Sequence, residues 1–310
     1  MFDLHRLRLL RELKHRGTLA AVAAALSYSP SSVSQQLAQL EAEAGVVLLE
    51  PVGRRVRLTE QAEILVAHTE AVLERLERAE ADIAASLTDI TGSLRVAAFQ
   101  TAALTLLPVA LTRLRAAHPR LRVHVTQMEP ERALPGLLAR DFDLVITEEY
   151  PGAPGPRPDG VEQEDLYEDP LNLAVPRPDT PGGHPSPAPG TGTASAQAML
   201  RSLADRPWVM EPEGTAARRW AMALCRTAGF EPDVRFESSD LVLHLRLVEE
   251  GHAVALLPDL VWNGRAPTVP LHRLPQGHGF RRLATAVRGG SSGHPAVAAC
   301  RRALRRGATP

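Results

Sequence analysis

Apolar positions recur every three to four residues over 3–16, where Leu4, Leu7, Leu10 and Leu13 share one face and Gly17 closes the run. That spacing predicts a helix. Thr18 can cap a short Ala-rich second helix, "LAAVAAAL", and a turn, "SYS", follows. Ser29 then caps a third helix with Pro30 at its first position, where a missing N–H costs nothing. Val33, Leu37 and Leu40 form its apolar stripe and Gly45 ends it. "VVLLE" and "RRVRLT" flank "PVG", a pattern that predicts a small hairpin with a basic second strand.

The face of the third helix opposite its stripe carries no charge. It is Ser and Gln throughout, "SPSSVSQQLAQL", where a solvated face normally carries Lys, Glu or Arg. Helix, helix, turn, helix, hairpin is the order of a winged helix-turn-helix, whose second motif helix enters the DNA major groove by its N-terminal end. Hydroxyls and carboxamides both donate and accept, so they can contact base edges and phosphates without net charge. Residues 59–88 contain no Gly or Pro. Leu58, Ala62, Leu65, Thr69, Val72, Leu76, Ala79, Ile83 and Ser86 are spaced alternately by four and three, a heptad seam that predicts one long helix paired with its own copy.

From "GSLRVAAF" onward the pattern changes to alternating strands and helices. Strands are expected at "LRVAAF", "LRVHVTQM", "DFDLVIT", "LNLAV", "RPWVM", "VRFES", "AVALLP" and "LATAV". Helices are expected around 103–117, 131–139, 215–228, 240–250 and 294–305. This is the grammar of a largely parallel sheet covered by helices. "PGAPGPRPDG" (151–160) falls where the chain would cross to a second lobe, and the Pro/Gly/Ser/Thr-rich stretch 176–196 predicts a disordered surface insertion.

Composition narrows the function classes. The 310 residues carry a net charge of −1, with 44% hydrophobic and 23% charged content, ordinary values for a globular chain. Charge is uneven, however: residues 1–58 hold eight Lys/Arg against five Asp/Glu, and 59–88 hold two against seven. A locally basic end predicts a local anionic partner. No apolar run approaches the roughly 18 residues of a membrane helix, and the amphipathic start lacks a signal-peptide core, so a cytoplasmic location without membrane contact is expected. Cys225 and Cys300 show neither metal nor disulfide spacing, and Cys225 sits on an apolar helical face, as an inert buried thiol would. No ligand-spaced His cluster, nucleophile elbow, P-loop or dinucleotide fingerprint occurs, so neither a metal, a cofactor nor an enzyme activity is expected.

The order of parts resembles the LysR-type transcriptional regulators. The likeness is densest in "SPSSVSQQLAQLEAEAGVVLLEPVGRRVRLTEQAE", through Ser34, Gln35-Gln36, Leu37, Leu40-Glu41, Gly45, Leu48-Leu49, Arg54-Arg55 and Leu58-Thr59. The resemblance implies an α/β chain with an N-terminal winged helix-turn-helix (1–58), a linker and dimerisation helix (59–90), and a two-lobed periplasmic-binding-protein-like effector domain (91–310). Lobe I would take about 91–160 and 268–310, and lobe II about 161–267. It places Pro30, Ser31, Ser34 and Gln35 at the groove, Ser32 and Gln36 near the DNA backbone, and Arg54 and Arg55 on phosphates or in the minor groove. Two positions depart from the family pattern. Gln35 replaces a frequent Arg, and Pro51 stands where an Arg usually follows Leu-Leu-Glu, which removes a contact and implies a shallower salt dependence.

For the second region the resemblance implies a small-molecule effector between the lobes. Gln100 and Thr101 at a strand-to-helix turn, Thr147 and Glu148 at a strand end, and Gly214 and Thr215 at another helix start are the candidate contacts. Implied partners are double-stranded promoter DNA, a small effector and further copies of the chain, as homodimer or homotetramer. The alternative is a ligand-independent DNA-binding protein whose C-terminal domain serves only oligomerisation. A transport solute-binding protein fits 92–310 less well, since it leaves the basic head without a role.

Overall fold

The computed structural model describes residues 1–53, 55–155, 157–180 and 193–308. The head consists of α1 (Leu4–Arg16), α2 (Leu19–Leu26), α3 (Pro30–Ala44) and an antiparallel wing, β1 (Leu49–Val52) with β2 (Arg55–Leu58). Each helix starts on an oxygen supplied by its predecessor residue. Asp3 accepts from His5 and Arg6, Thr18 from Ala21 and Ser29 from Ser32. Leu9, Leu10, Leu13, Val22, Val33, Leu37, Leu40 and Leu48 close into one core. Ser27, left-handed at φ 58°, makes the turn between α2 and α3.

Two of the motif residues act inside the head. The Glu41 carboxylate accepts from the Leu48 and Leu49 amides at 2.8 and 3.0 Å, which pins the root of the wing to α3. Thr59 donates to the Val47 carbonyl at 2.9 Å and caps α4 (Glu60–Ala85) through the Ala62 amide. The Leu-Glu and Leu-Thr signatures are therefore joints between elements.

The region after α4 alternates strand and helix. It runs β3 (Gly92–Ala98), α5 (Gln100–Ala117), β4 (Leu121–Gln127), α6 (Pro130–Leu138), β5 (Leu144–Glu149), β6 (Val161–Ala174), α7 (Thr193–Arg201) and β7 (Pro207–Met210). It continues α8 (Ala216–Thr227), β8 (Asp233–Glu237), α9 (Leu241–Glu249), β9 (Ala255–Pro258), β10 (Leu271–Arg273), β11 (Phe280–Arg288) and α10 (Pro295–Ala308). The large sheet has the order β10-β6-β11-β5-β3-β4, with β9 also on β6. β3 lies parallel to β4 and β5, whereas β11 runs antiparallel to β5 and β6. β7 and β8 form a separate parallel pair. α5 and α10 bury one face of the first half against Leu106, Ile146, Leu283 and Leu304, and α6 covers the other with Leu134 and Leu137.

Three expectations are corrected. Residues 161–170 were not expected as strand, yet β6 is continuous: its first part pairs with β11 and its last four residues with β9 and β10. One strand thus belongs to both halves. Its acidic residues, "VEQEDLYEDP", mask the periodicity: Glu162 and Glu164 ion-pair with Arg301, Asp165 and Glu168 are exposed, and Asp169 is buried. Within 176–196, residues 181–192 lie outside the described residues, and α7 begins at Thr193. Finally, Ala62 and Thr69 of the expected seam on α4 face inward. Ala62, Val66, Thr69, Leu73, Glu77 and Ala81 pack on the chain's own body, while Ile64, Val72, Leu76 and Ile83 are left exposed. The helix has two partners to satisfy, so its inward stripe is offset from the heptad seam.

α4 is clamped to the first lobe by charge and close packing. Glu77, 7% exposed, takes Arg288 at 2.6 Å and also Arg140. Gly290 lies so close beneath α4 that a Cβ there would stand 2.5 Å from the Glu74 carbonyl. From α1, Arg11 reaches the Leu138 carbonyl and Arg16 pairs with Asp141 at 2.8 Å.

Candidate DNA interface and interlobe cleft

α3 buries Val33, Leu37 and Leu40 and turns its other side outward. Pro30, Ser31, Ser34 and Gln35 are exposed; Ser32 and Gln36 are half-buried. Ser31 shares a 2.9 Å hydrogen bond with the capping Ser29, and Gln36 accepts from Arg6 Nε at 3.1 Å. No side-chain hydrogen bond engages Ser34 or Gln35 among the described residues, so their donors and acceptors are available to an outside partner. Arg55 is exposed on β2, beside the Arg57–Glu50 pair at 2.8 Å. Arg54 lies outside the described residues.

The cleft between the lobes is built around Arg281 of β11, 1% exposed. It donates to Asp169 through Nε (2.9 Å) and Nη2 (2.7 Å), to Glu148 at 2.5 Å and to Thr101 at 2.7 Å. The Phe99 ring lies 5.0 Å from its Cζ. Of the expected contacts, Thr101 and Glu148 join this cluster. Gln100 instead spans the cleft and accepts from the Leu241 amide at 2.7 Å, at the start of α9. Thr147 is buried and donates to the Ala284 carbonyl within the sheet. Thr215 caps α8 through the Arg218 amide and donates to the Pro212 carbonyl, while the Gly214 carbonyl accepts from Arg219.

Several cleft residues were not anticipated. Glu131 reaches across to accept from the Ala216 amide at 2.7 Å, so lobe I supplies an acceptor at the start of α8. Tyr150 donates to Glu148 at 3.2 Å. Glu129, Glu148 and Glu211 bring one carboxylate oxygen each within 4.8 Å of the others. Burial pushes Glu129 up to about 7 and raises Glu148 and Glu211, with mutual repulsion adding to it. Glu211 directly follows β7, the same strand-end position that marked Glu148. Arg281 had a weaker signal, a charge before the apolar run "LATAV".

Both cysteines are buried, and burial pushes each thiol up to about 12. No helix is long and apolar enough to cross a membrane, among the described residues.

Comparison with known proteins follows this division. The family model for the LysR substrate binding domain matches residues 87–309, and that for the bacterial regulatory helix-turn-helix protein, lysR family, matches 4–63. The chain is 29% identical over 253 residues to the "Probable hydrogen peroxide-inducible genes activator" of Mycobacterium avium, covering 81% of this chain and 76% of that one. It is 26% identical over 268 residues to the transcriptional dual regulator GltC of Bacillus subtilis, covering 86% and 83%. Among solved structures, full-length OxyR from Pseudomonas aeruginosa superposes with a TM-score of 0.68 at 21% identity, over 98% of this chain and 95% of that one. CbnR bound to its target DNA gives 0.53 at 24%, over 99% and 100%. These last two show the shared fold. With both domains matched in order and the larger match spanning most of the length, the chain belongs to the LysR family of transcriptional regulators.

Proposed function

We propose that this chain binds double-stranded promoter DNA as a homo-oligomer in the cytoplasm, with α3 of paired heads in successive major grooves. The observation that carries this reading is the unengaged Ser34/Gln35 face of α3 beside an exposed wing arginine. Pro30 and Ser31 would lie at the groove, Ser32 and Gln36 near the backbone, and Arg54 and Arg55 on phosphates. The exposed Ile64, Val72, Leu76 and Ile83 stripe of α4 supports pairing with a second copy, since a stripe this apolar is rarely left in water.

A small effector in the interlobe cleft would set the DNA-binding state. Gln100 and Glu131 bond to the starts of α9 and α8, helix ends that a polar effector could take over. Two elements join this cleft to the head. α6 has Glu129 and Glu131 at its cleft end and the Leu138 carbonyl, bonded to Arg11 of α1, at the other. β11 has Arg281 in the cleft and Arg288 on Glu77 of α4. Opening or closing the cleft would therefore bias the angle of α4, and with it half-site spacing. These cross-lobe contacts amount to one hydrogen bond from the Ala216 amide to Glu131 and two at Gln100, with Asp240 and Leu241, which supports a hinge over a domain that serves only assembly. The two thiols are buried and held protonated, so a peroxide response of the kind in one relative's name is not carried over. Footprinting of the gene's own upstream region, with a metabolite panel, tests both halves. Absence of protection ends the DNA reading, and protection that no metabolite alters ends the effector reading.

A further inference from the structure

Away from the cleft, α10 packs along α5, and a groove of about 490 Å3 lies between them. The two helices are close: a Cβ on Gly307 would stand 3.4 Å from the Leu106 carbonyl. The floor of the groove is apolar, with Leu114, Ala299 and Ala303 buried and Ala116 and Ala117 exposed. Its rim is cationic. Arg113 comes from α5, Arg302 and Arg306 come from α10, all three are exposed, and no carboxylate lines the groove. Among the described residues, no hydrogen bond or ion pair engages these three guanidinium groups.

α10 carries four arginines and sorts them into two pairs. Arg301 meets Glu162 at 3.2 Å and Glu164 at 3.1 Å, and Arg305 also meets Glu164, so β6 neutralises these two. Arg302 and Arg306, one turn apart on the groove, have no such acid. The helix dipole favours a cation in the last turn, which explains Arg306 but neither Arg302 nor Arg113. Three like charges around an apolar strip select an anionic partner with an apolar face. The small side chains of the floor allow a close approach, and Ala299 to Arg306 cover about 10 Å of the α10 axis, or about two helical turns. A third helix laid between α5 and α10 fits that shape, with acids one turn apart along one edge to meet Arg302 and Arg306. Nucleic acid fits less well, because phosphates would use the arginines and leave Leu114 and the alanines uncovered.

We propose that the α5–α10 groove docks an acidic amphipathic helix of another protein, its apolar face on Leu114, Ala299 and Ala303 and its carboxylates on Arg113, Arg302 and Arg306. The test titrates the full chain into a fluorescein-labelled synthetic helix of about 15 residues and follows anisotropy. That peptide carries Ala and Leu on one face and Glu at one-turn intervals along both edges. The same peptide with Lys for Glu, and one of equal composition in scrambled order, run in parallel. Saturable binding of the ordered acidic helix alone is expected. Arg302→Ala combined with Arg306→Ala should weaken it about three- to tenfold, the worth of two exposed ion pairs. Ala116→Trp, at an exposed position, should fill the groove and abolish binding while Tm holds. Arg122→Ala, at an exposed arginine of β4, should change nothing. No saturable binding, equal binding of the Lys or scrambled peptide, or indifference to Ala116→Trp overturns the proposal. So does a smaller oligomer on Ala116→Trp in sedimentation, which makes the groove a contact between copies. Weaker binding of a random DNA duplex on Arg302→Ala, with none of the peptide, assigns the arginines to nucleic acid and overturns it as well.

Discussion

The Ser/Gln face of α3 and the floor of the cleft are both polar, yet they are polar in opposite ways. On α3 the groups are uncharged, exposed and, at Ser34 and Gln35, unengaged. In the cleft they are charged and buried, and most are bonded to one another around Arg281. A surface meant for a large hydrated partner can leave its hydrogen bonds to water until that partner arrives, because exposure makes the wait nearly free. A buried site cannot, since an unpaired charge in low dielectric costs several kcal/mol. The difference separates groups whose loss should cost binding from groups whose loss should cost folding.

The sharpest way to break that contrast is Arg281→Ala. Removing the guanidinium leaves Glu148 and Asp169 buried with their main partner gone, and about 3–5 kcal/mol of stability should be lost in urea denaturation. If the loss is under about 1 kcal/mol, the cleft is far wetter than its burial implies. Glu129→Gln should act in the other direction. Its carboxyl is held up at about 7, from an ordinary 4.5. Below pH 4.5 folded and unfolded chains both keep the proton. Between 4.5 and 7 the unfolded chain releases it and the folded chain does not, so stability falls as pH rises and is level above. The full effect is at most about 3 kcal/mol. The Gln variant should be more stable at pH 8 and should flatten the stability profile across that window. An unchanged profile would mean that Glu129 ionises freely in solvent.

For α3 the expected effects are on binding alone. Ser34→Ala and Gln35→Ala remove groups that make no side-chain hydrogen bond among the described residues, so Tm should hold. Operator affinity should fall about 10- to 100-fold if each reads a base edge, worth about 1–3 kcal/mol. Equal weakening on random DNA would instead place both on the phosphate backbone.

The same contrast explains what was legible in the sequence. The head is built from contacts close in the chain: caps one residue before each helix, and stripes at 33, 37 and 40 that close on α1. Its polar face stood out because an exposed helix without charge is unusual. The cleft joins residues from segments far apart in the chain, and Arg281 is 112 positions from Asp169 and 180 from Thr101. Strand ends and helix starts pointed to Gln100, Thr101 and Glu148, because backbone geometry aims those positions at a cleft. They could not distinguish Thr147, whose hydroxyl turns into the sheet, from Glu148 beside it. Nor could they show that Glu131 would cross to the start of α8, since that depends on how far the lobes close. The inward stripe of α4 was missed for a related reason: a heptad describes one partner, and this helix also packs on Gly290.

The smallest effect concerns the wing. Pro51 sits on β1, exposed and opposite Val56, where the family pattern has a cation. Pro51→Arg keeps the strand, whose partner residues are unchanged, and adds one charge near the expected path of a phosphate. Affinity at low salt should rise by less than about tenfold, and the slope of log affinity against log salt should steepen by about one unit. Arg55→Ala should make the slope shallower by the same amount. If Arg55→Ala changes the slope and Pro51→Arg does not, β2 alone faces the DNA and the first strand of the wing is turned away. If neither changes it, the wing stands clear of the backbone, and the electrostatic part of binding must come from α1 and the start of α3.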